Sequence, residues 1–414
     1  MKLLLFLQKA SIIMKISEII PRHHYLDKIM PYVGKGLIKV LTGQRRVGKS
    51  YILRAIEEEI RKKGIDGNFI IINLEDYAFS HITDAESLNK EIACRLSASR
   101  PNFIFIDEVQ EVEGFERVLR SINLDNNNDI YVTGSNSTML SSEIASRLAG
   151  RNIEFRIHPL SYTEFLEFHS VEDSDDAVNT YLRYGGMPFL RNLPSRETWG
   201  EYLTGITDAL VYRDIVSRHS LRNTDFLQRM LMYLADNIGQ LFTAKRIADY
   251  LKSQRIGGTV ASVQTYADYI CDAYLVNKAQ RWDIEGKKFF EIGEKYYFED
   301  LGIRNSIVGY RPTDISGILE NAVYNKLLSD GFDVKVGVMS KGREIDFVAE
   351  RDGERRYIQV AVNVDNTATA EREFGNLLEI SDNYEKIIVT LHNSTPNTYE
   401  GIKMMSLRDF LLEG

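Results

Sequence analysis

The sequence has little of what marks an exported, membrane-spanning or strongly nucleic-acid-binding protein. Its 414 residues include two cysteines, Cys94 and Cys271, so neither a disulfide framework nor a CxxC metal pair is available. No stretch approaches the roughly 18 apolar residues of a membrane helix. The apolar run from Leu3 to Leu7 is cut off by Gln8 and Lys9, short of a signal segment. A soluble protein of the reducing cytoplasm is expected, with Met14 opening the fold and residues 1–13 forming an extension. Low-complexity tracts are absent, which argues against disorder. A positive excess is missing too. The net charge is -8, residues 311–414 hold 12 Lys and Arg against 18 Asp and Glu, and residues 225–300 hold 10 against 11. Neither segment offers the broad basic face that phosphate backbones require.

What is present is an ordinary globular composition, 44% hydrophobic and 27% charged, in a chain long enough for several cores. Between Gly36 and Pro159 unalternating apolar runs ("LIKVLTG", "FIIINL", "FIFIDE", "IYVTGS", "IEFRI") alternate with amphipathic helical patterns. This order predicts an α/β fold, a parallel sheet covered on both faces, over residues 14–160. Residues 161–224 read as a helical lid or linker, ending in a long helix from about Arg196 to His219. Residues 225–310 give three helical patterns and a hairpin, the order of a winged helix. Residues 311–414 give helix, three strands, helix and strand, the core order of restriction-endonuclease-like domains.

The most specific motif is "GQRRVGKS", which has the full P-loop spacing and lies between a strand and a helix. Gly43 and Gly48 let backbone amides approach phosphates, with Gln44, Arg45, Arg46 and Val47 forming the turn between them. Lys49 places an ammonium on the β and γ oxygens, and Ser50 offers a hydroxyl to magnesium at a helix N-terminus, with Tyr51 next in the helix. "FIFIDEVQ" supports the same reading: Asp107 is expected to hold magnesium through water and Glu108 to polarise the attacking water. The Asp-Glu pair favours ATP hydrolysis over small-molecule kinase chemistry. A GTPase would show NKxD, and the nearest match, at Asn89, has Ile92 in place of the Asp. In "VTGSNSTML", Ser135 or Asn136 is placed to bridge the γ-phosphate and the water, although a strand-to-helix turn with Ser and Asn caps fits equally. Arg147 and Arg151 in "SRLAGR" are candidates for an arginine finger, toward a neighbouring subunit, and a solvated helix face also accounts for them.

Together these stretches, with "PRHHYLDKI", "PLSYTEF", "YGGMPFL", "VYRDIV", "KYYFEDLGIRN", "GILEN" and "EIDFV", resemble the bacterial and archaeal AAA+ superfamily ATPases that end in an uncharacterised restriction-endonuclease-like domain. The resemblance covers nearly the whole chain from Met14. It implies an ATPase core with a strand inserted between the P-loop strand and the Asp-Glu strand, then a winged helix, then a nuclease-like domain. It also implies ATP binding, and it adds weight to Arg147 and Arg151.

Two readings of the C-terminal half limit what it is expected to do. The third helix of the winged-helix segment carries Asp268 and Asp272 and no Lys or Arg. The hairpin has Lys278, Arg281, Lys287 and Lys288 interleaved with Asp283, Glu285 and Glu291, so a protein partner is favoured over DNA and neither is excluded. In "EIDFVAERDGERRYIQVAVN", Ala361 stands where a nuclease lysine belongs and Gln359 where a second carboxylate is usual. Glu320, Glu344 and Asp346 remain as oxygen ligands, and Lys335 and Lys326 are candidates for a displaced lysine. The expectation is therefore an ATP- and magnesium-binding AAA+ switch, able to self-associate, with an inactive nuclease-like domain. The alternatives are an ATP-dependent nuclease and a non-hydrolytic nucleotide sensor.

Overall fold

The structure is a computed structural model that describes residues 20–136, 148, 150–286, 288–289, 293–339, 342–364, 367–392 and 398–413. The extension at residues 1–13 lies outside the described residues. The chain forms two compact units: residues 1–43 with 48–157, and residues 44–47 with 158–414.

In the first unit α1 (His23–Ile29) precedes β1 (Ile38–Thr42), α2 (Lys49–Lys62), β2 (Asn68–Asn73), α3 (Ala85–Ala93), β3 (Asn102–Asp107), α4 (Phe115–Ile122), β4 (Asn128–Thr133) and β5 (Asn152–Arg156). The strands form one parallel sheet in the order β2-β3-β4-β1-β5. β1, β3 and β4 are buried along their whole length, and the two edge strands are not. This is why the inner strands read as unbroken apolar runs. β4 lies between β1 and β3, so one strand separates the glycine-rich loop from the Asp-Glu pair, as the resemblance implies. Ile38, Val40, Ile104, Ile106, Ile130 and Val132 pack with Leu88, Val118 and Leu119 of the covering helices.

The inner strands are not wholly apolar. Lys39 of β1 is fully buried and paired with Asp129 of β4, whose carboxylate also accepts bonds from the Tyr131 hydroxyl at 2.6 Å and the Gly34 amide at 3.0 Å. Removing either partner of this buried pair would leave an uncompensated charge between neighbouring strands.

The second unit begins with α5 (Tyr162–His169), α6 (Asp175–Tyr184) and α7 (Arg196–Ala209). The last of these continues as a π-helix over Leu210–Ser217, which makes up the second part of the expected long helix. Next come α8 (Thr224–Asp236), β6 (Leu241–Phe242), α9 (Ala244–Ser253), α10 (Val260–Asp272), β7 (Val276–Ala279), β8 (Arg281–Asp283), β9 (Lys288–Phe289) and β10 (Glu294–Phe298). The rest is α11 (Leu301–Val308), α12 (Ile315–Ser329), β11 (Asp333–Val338), β12 (Glu344–Arg351), β13 (Glu354–Ala361), α13 (Thr367–Leu378), β14 (Glu385–Thr390), β15 (Thr398–Tyr399), β16 (Ile402–Ser406) and α14 (Leu407–Leu412).

Here the structure departs from the expected boundary at residue 310. "LVNKAQRWD" is not one strand of a hairpin; it divides at Gln280. β7 joins β10 and β6 in a three-stranded sheet, while β8 and β9 cross to an eight-stranded sheet of order β15-β16-β14-β13-β12-β11-β8-β9. The reason is burial: Trp282, at the centre of β8, packs with Met339, Ile345, Val348 and Tyr357 under the larger sheet. Among the described residues no helix is long and apolar enough to cross a membrane.

Candidate functional site

The parallel sheet brings the ends of β1, β3 and β4 to one edge, and the charged residues of the two motifs gather there. Gly43 has φ +135°, and a Cβ at this position would lie 2.1 Å from the Ile157 carbonyl oxygen, so the turn leaving β1 requires glycine. Gly48, also at positive φ, caps α2. Lys49 begins that helix almost fully buried, its Nζ donating to the Gly43 carbonyl at 2.8 Å and folding the loop back on itself. The Ser50 hydroxyl hydrogen-bonds the Asp107 carboxylate, which also accepts from Thr133 Oγ1 at 2.5 Å. Burial pushes the Asp107 carboxyl above its ordinary range. The Thr133 and Ser50 hydroxyls oppose this, the Glu108 charge adds to it, and the Lys49 ammonium opposes it.

Glu108 follows at φ +57°, a left-handed position uncommon for a residue with a side chain. Its amide donates to Thr133 Oγ1 at 2.8 Å, and its carboxylate accepts from Gln110 Nε2, which also reaches Ser135 Oγ at 3.3 Å. A cramped glycine turn, a buried ammonium, and a carboxylate held by a helix-terminal hydroxyl are the parts a triphosphate and a hard divalent cation need. The residues fit both groups.

The other predicted residues are distributed as follows. Ser135 and Asn136 are buried just beyond β4, whereas Tyr51 is half-exposed. Gln44 and Val47 are buried, Arg46 is exposed at φ +74°, and Arg45 pairs with Asp214. Arg147 lies outside the described residues. Arg151 is exposed and precedes β5; its carbonyl accepts from the Ile38 amide at 2.9 Å, beside the start of β1. It therefore sits at the sheet edge opposite its own loop, about 17 Å away by the rise of five strand residues. His23 and His24 are exposed on α1. Thr133, which grips both acids, went unnoticed in the sequence; its signal is that it is the polar residue ending the buried strand beside the Asp-Glu strand.

A second cluster lies within the second unit. Glu320 of α12 and Glu344 and Asp346 of β12 come together, as strand alternation anticipates for the last two. The cation among them is neither Lys335 nor Lys326. Lys335 bonds Asp333 at 2.8 Å and Glu350 at 2.6 Å, and Lys326 bonds Asp330 at 2.5 Å. Lys295 of β10 lies among the carboxylates instead, its Nζ 3.6 Å from Glu320, 3.9 Å from Glu344 and 3.7 Å from Asp346. Tyr297, two residues on and so on the same strand face, donates to Glu320 at 3.1 Å. Gln359 accepts the Asp346 amide at 3.3 Å, and Asp346 accepts the Val360 amide at 2.9 Å. Burial opposes the Lys295 charge, but the Glu320, Asp346 and Glu344 carboxylates outweigh it and raise the lysine above its ordinary value. Burial raises Glu320 to about 8, the Asp346 charge adds to the rise, and Lys295 resists it. Among the described residues no group of three acids, histidines or cysteines is arranged to hold a metal ion. Lys295 was missed because it lies outside the αβββαβ order in which the lysine was sought.

Known proteins resemble the chain along most of its length. A family model described as an AAA domain matches residues 35–166, and a domain-of-unknown-function model (DUF8612) matches residues 175–314. An uncharacterized protein of Haemophilus influenzae is 34% identical over 96% of this chain and 100% of its own length. The uncharacterized protein MJ1544 of Methanocaldococcus jannaschii is 30% identical over 90% of this chain and 85% of its own. Among solved structures, AMPPCP-bound DnaA from Aquifex aeolicus aligns with 51% of this chain and 68% of its own at 18% identity, with a TM-score of 0.32.

The Glu320 shift has a measurable sign. An unfolded glutamate titrates near 4.5 and the folded one near 8, so between those values the folded chain holds a proton that the unfolded chain releases. The contribution of Glu320 to stability therefore falls as pH rises through that window, by at most about 1.4 kcal/mol per pH unit. Denaturant unfolding of wild type and Glu320→Gln across the window should show the steeper loss in wild type; parallel slopes would remove the buried proton.

Proposed function

The chain belongs to the family of these uncharacterized bacterial and archaeal proteins, and from that premise we propose that it is an ATP-hydrolysing switch of the AAA+ type. The observation that carries the reading is Asp107, held by Ser50 and Thr133 within the field of Lys49 and followed directly by Glu108. The backbone from Gly43 to Gly48, through Gln44, Arg45, Arg46 and Val47, cradles the phosphates, and the Lys49 ammonium neutralises the β and γ oxygens. Ser50 and Asp107, the latter through water, would hold Mg2+, which would supply Lewis-acid polarisation of the phosphoryl oxygens. Glu108, turned by its left-handed backbone and steadied by Gln110, orients the attacking water. Asn136 lies at the strand end beyond Thr133, placed to meet the γ-phosphate.

Exposed Arg151 is on the wrong edge of the sheet for its own loop, which favours action on a nucleotide held by a second copy; Arg147 is the other candidate. The α8–α10 helices with β6, β7 and β10 serve as a winged-helix recognition module. Lys278 of β7 is paired with Glu294 at 2.9 Å, and Arg281, on β8 of the larger sheet, with Glu344 at 3.0 Å, which supports a protein partner over DNA. The C-terminal sheet is a nuclease-like domain that does not cleave. Lys295 neutralises its carboxylates from within, which supports a role in binding or regulation.

Lys49→Ala should abolish ATP binding, while Glu108→Gln should keep binding and lower phosphate release by about 100-fold or more. Undiminished release from Glu108→Gln would remove that residue from its role. If an arginine acts in trans, phosphate released per chain should rise with protein concentration across any self-association, and a flat dilution series would contradict it. Wild type should leave single- and double-stranded DNA and RNA intact with Mg2+ or Mn2+. Cleavage that disappears in Asp346→Ala would overturn the inactive reading and make Lys295 the first cation to test.

A further inference from the structure

Arg45 occupies the crest of the glycine-rich turn, where the loop's chemistry calls for backbone amides and any side chain is free to point away. Its guanidinium is neither solvated nor loosely held: Nε donates to Asp214 Oδ2 at 3.0 Å and Nη2 to Asp214 Oδ1 at 3.1 Å. Arg45 is 7% exposed and Asp214 4%. Residues 44–47 and Asp214 belong to the same compact unit. A two-pronged arginine–carboxylate pair fixes the plane of the guanidinium as well as its position, which a lysine cannot do. Taken out of water, such a pair holds its backbone attachments in place, because breaking it leaves an uncompensated buried charge.

Two further features converge on this pair. Asp214 lies within the π-helix Leu210–Ser217, an i→i+5 geometry that is rare at this length and concentrates where a side chain must be aimed. Arg46, next to Arg45, has φ +74°, a strained conformation that persists only where its surroundings over-determine it. The salt bridge one residue away is an anchor able to do so.

We propose that Asp214, acting through Arg45, is a positioning residue for the nucleotide loop, setting the backbone of residues 44–47 and thereby the affinity for nucleotide phosphates. The π-helix then belongs to the binding machinery although it donates nothing to the nucleotide itself. This rests on the ATP-binding reading above.

The test is a double-mutant cycle in the full-length chain, with a fluorescent ATP analogue for Kd and phosphate release for KM and kcat. Arg45→Met and Asp214→Asn should each raise Kd by about tenfold. The rise in KM should exceed any fall in kcat, and the double variant should be no worse than the poorer single one. Asp214→Glu should recover part of the loss. Unchanged Kd in both folded single variants, or losses that multiply in the double variant, would overturn the proposal. If Asp214→Asn does not fold, Arg45→Lys decides: a raised Kd supports the two-pronged anchor, an unchanged Kd overturns it. If Lys49→Ala abolishes binding while the Arg45 and Asp214 variants change nothing, the positioning claim alone fails. If wild type binds no ATP, the nucleotide reading fails and takes this inference with it.

Discussion

The parallel register of five strands is the constraint on which the proposed nucleotide site depends. Strands running in one direction finish at one edge, so Thr42, Asp107 and Thr133 close neighbouring strands there and the residues after them share a small volume. Thr133 then holds Asp107 through its hydroxyl and Glu108 through the backbone amide, so one side chain sets the relation between the two acids proposed to seat the metal and to activate water. An antiparallel arrangement would send half of these residues to the opposite end. Binding by loops at the carboxyl ends of strands is the general solution for such sheets.

Electrostatics tie several buried charges to named partners. Asp107 lies under opposed influences, burial favouring its neutral form and two hydroxyls with Lys49 favouring its charge. Lys39 and Asp129 settle the same conflict at the other end of the sheet by pairing, and Arg45 and Asp214 do so by a two-pronged bond. In the Lys295 cluster one ammonium serves three carboxylates, and burial, with the Asp346 charge adding to it, raises Glu320. That cluster joins β10, α12 and β12, so its charge balance holds together elements drawn from two sheets.

Much of the first unit was legible in the sequence. Buried parallel strands have an unbroken apolar signature, and Gly43 to Ser50 and Asp107 to Glu108 are contiguous motifs whose chemistry follows from their spacing. What was not legible is long-range. Thr133 is an ordinary strand-ending threonine until the sheet order places it beside Asp107. Trp282 reads as part of a hairpin until the larger sheet buries it and draws β8 away from β7. Lys295 is separated from Asp346 by 51 positions and belongs to a different sheet, so no local pattern links them. Asp214 carries no sign in the sequence that its partner is Arg45. Arg151 could be named as a candidate, but only the strand register shows that it stands at the edge away from its own loop.

The proposed roles of Lys49, Asp107 and Glu108 require that this arrangement turns over ATP. The most direct measurement is phosphate release by the intact wild-type chain, with ATP in excess and with Mg2+ either present or chelated. Release that requires the metal and saturates with ATP is the predicted result. ATP that binds with no release above the protein-free control would contradict hydrolysis and leave a nucleotide sensor in its place.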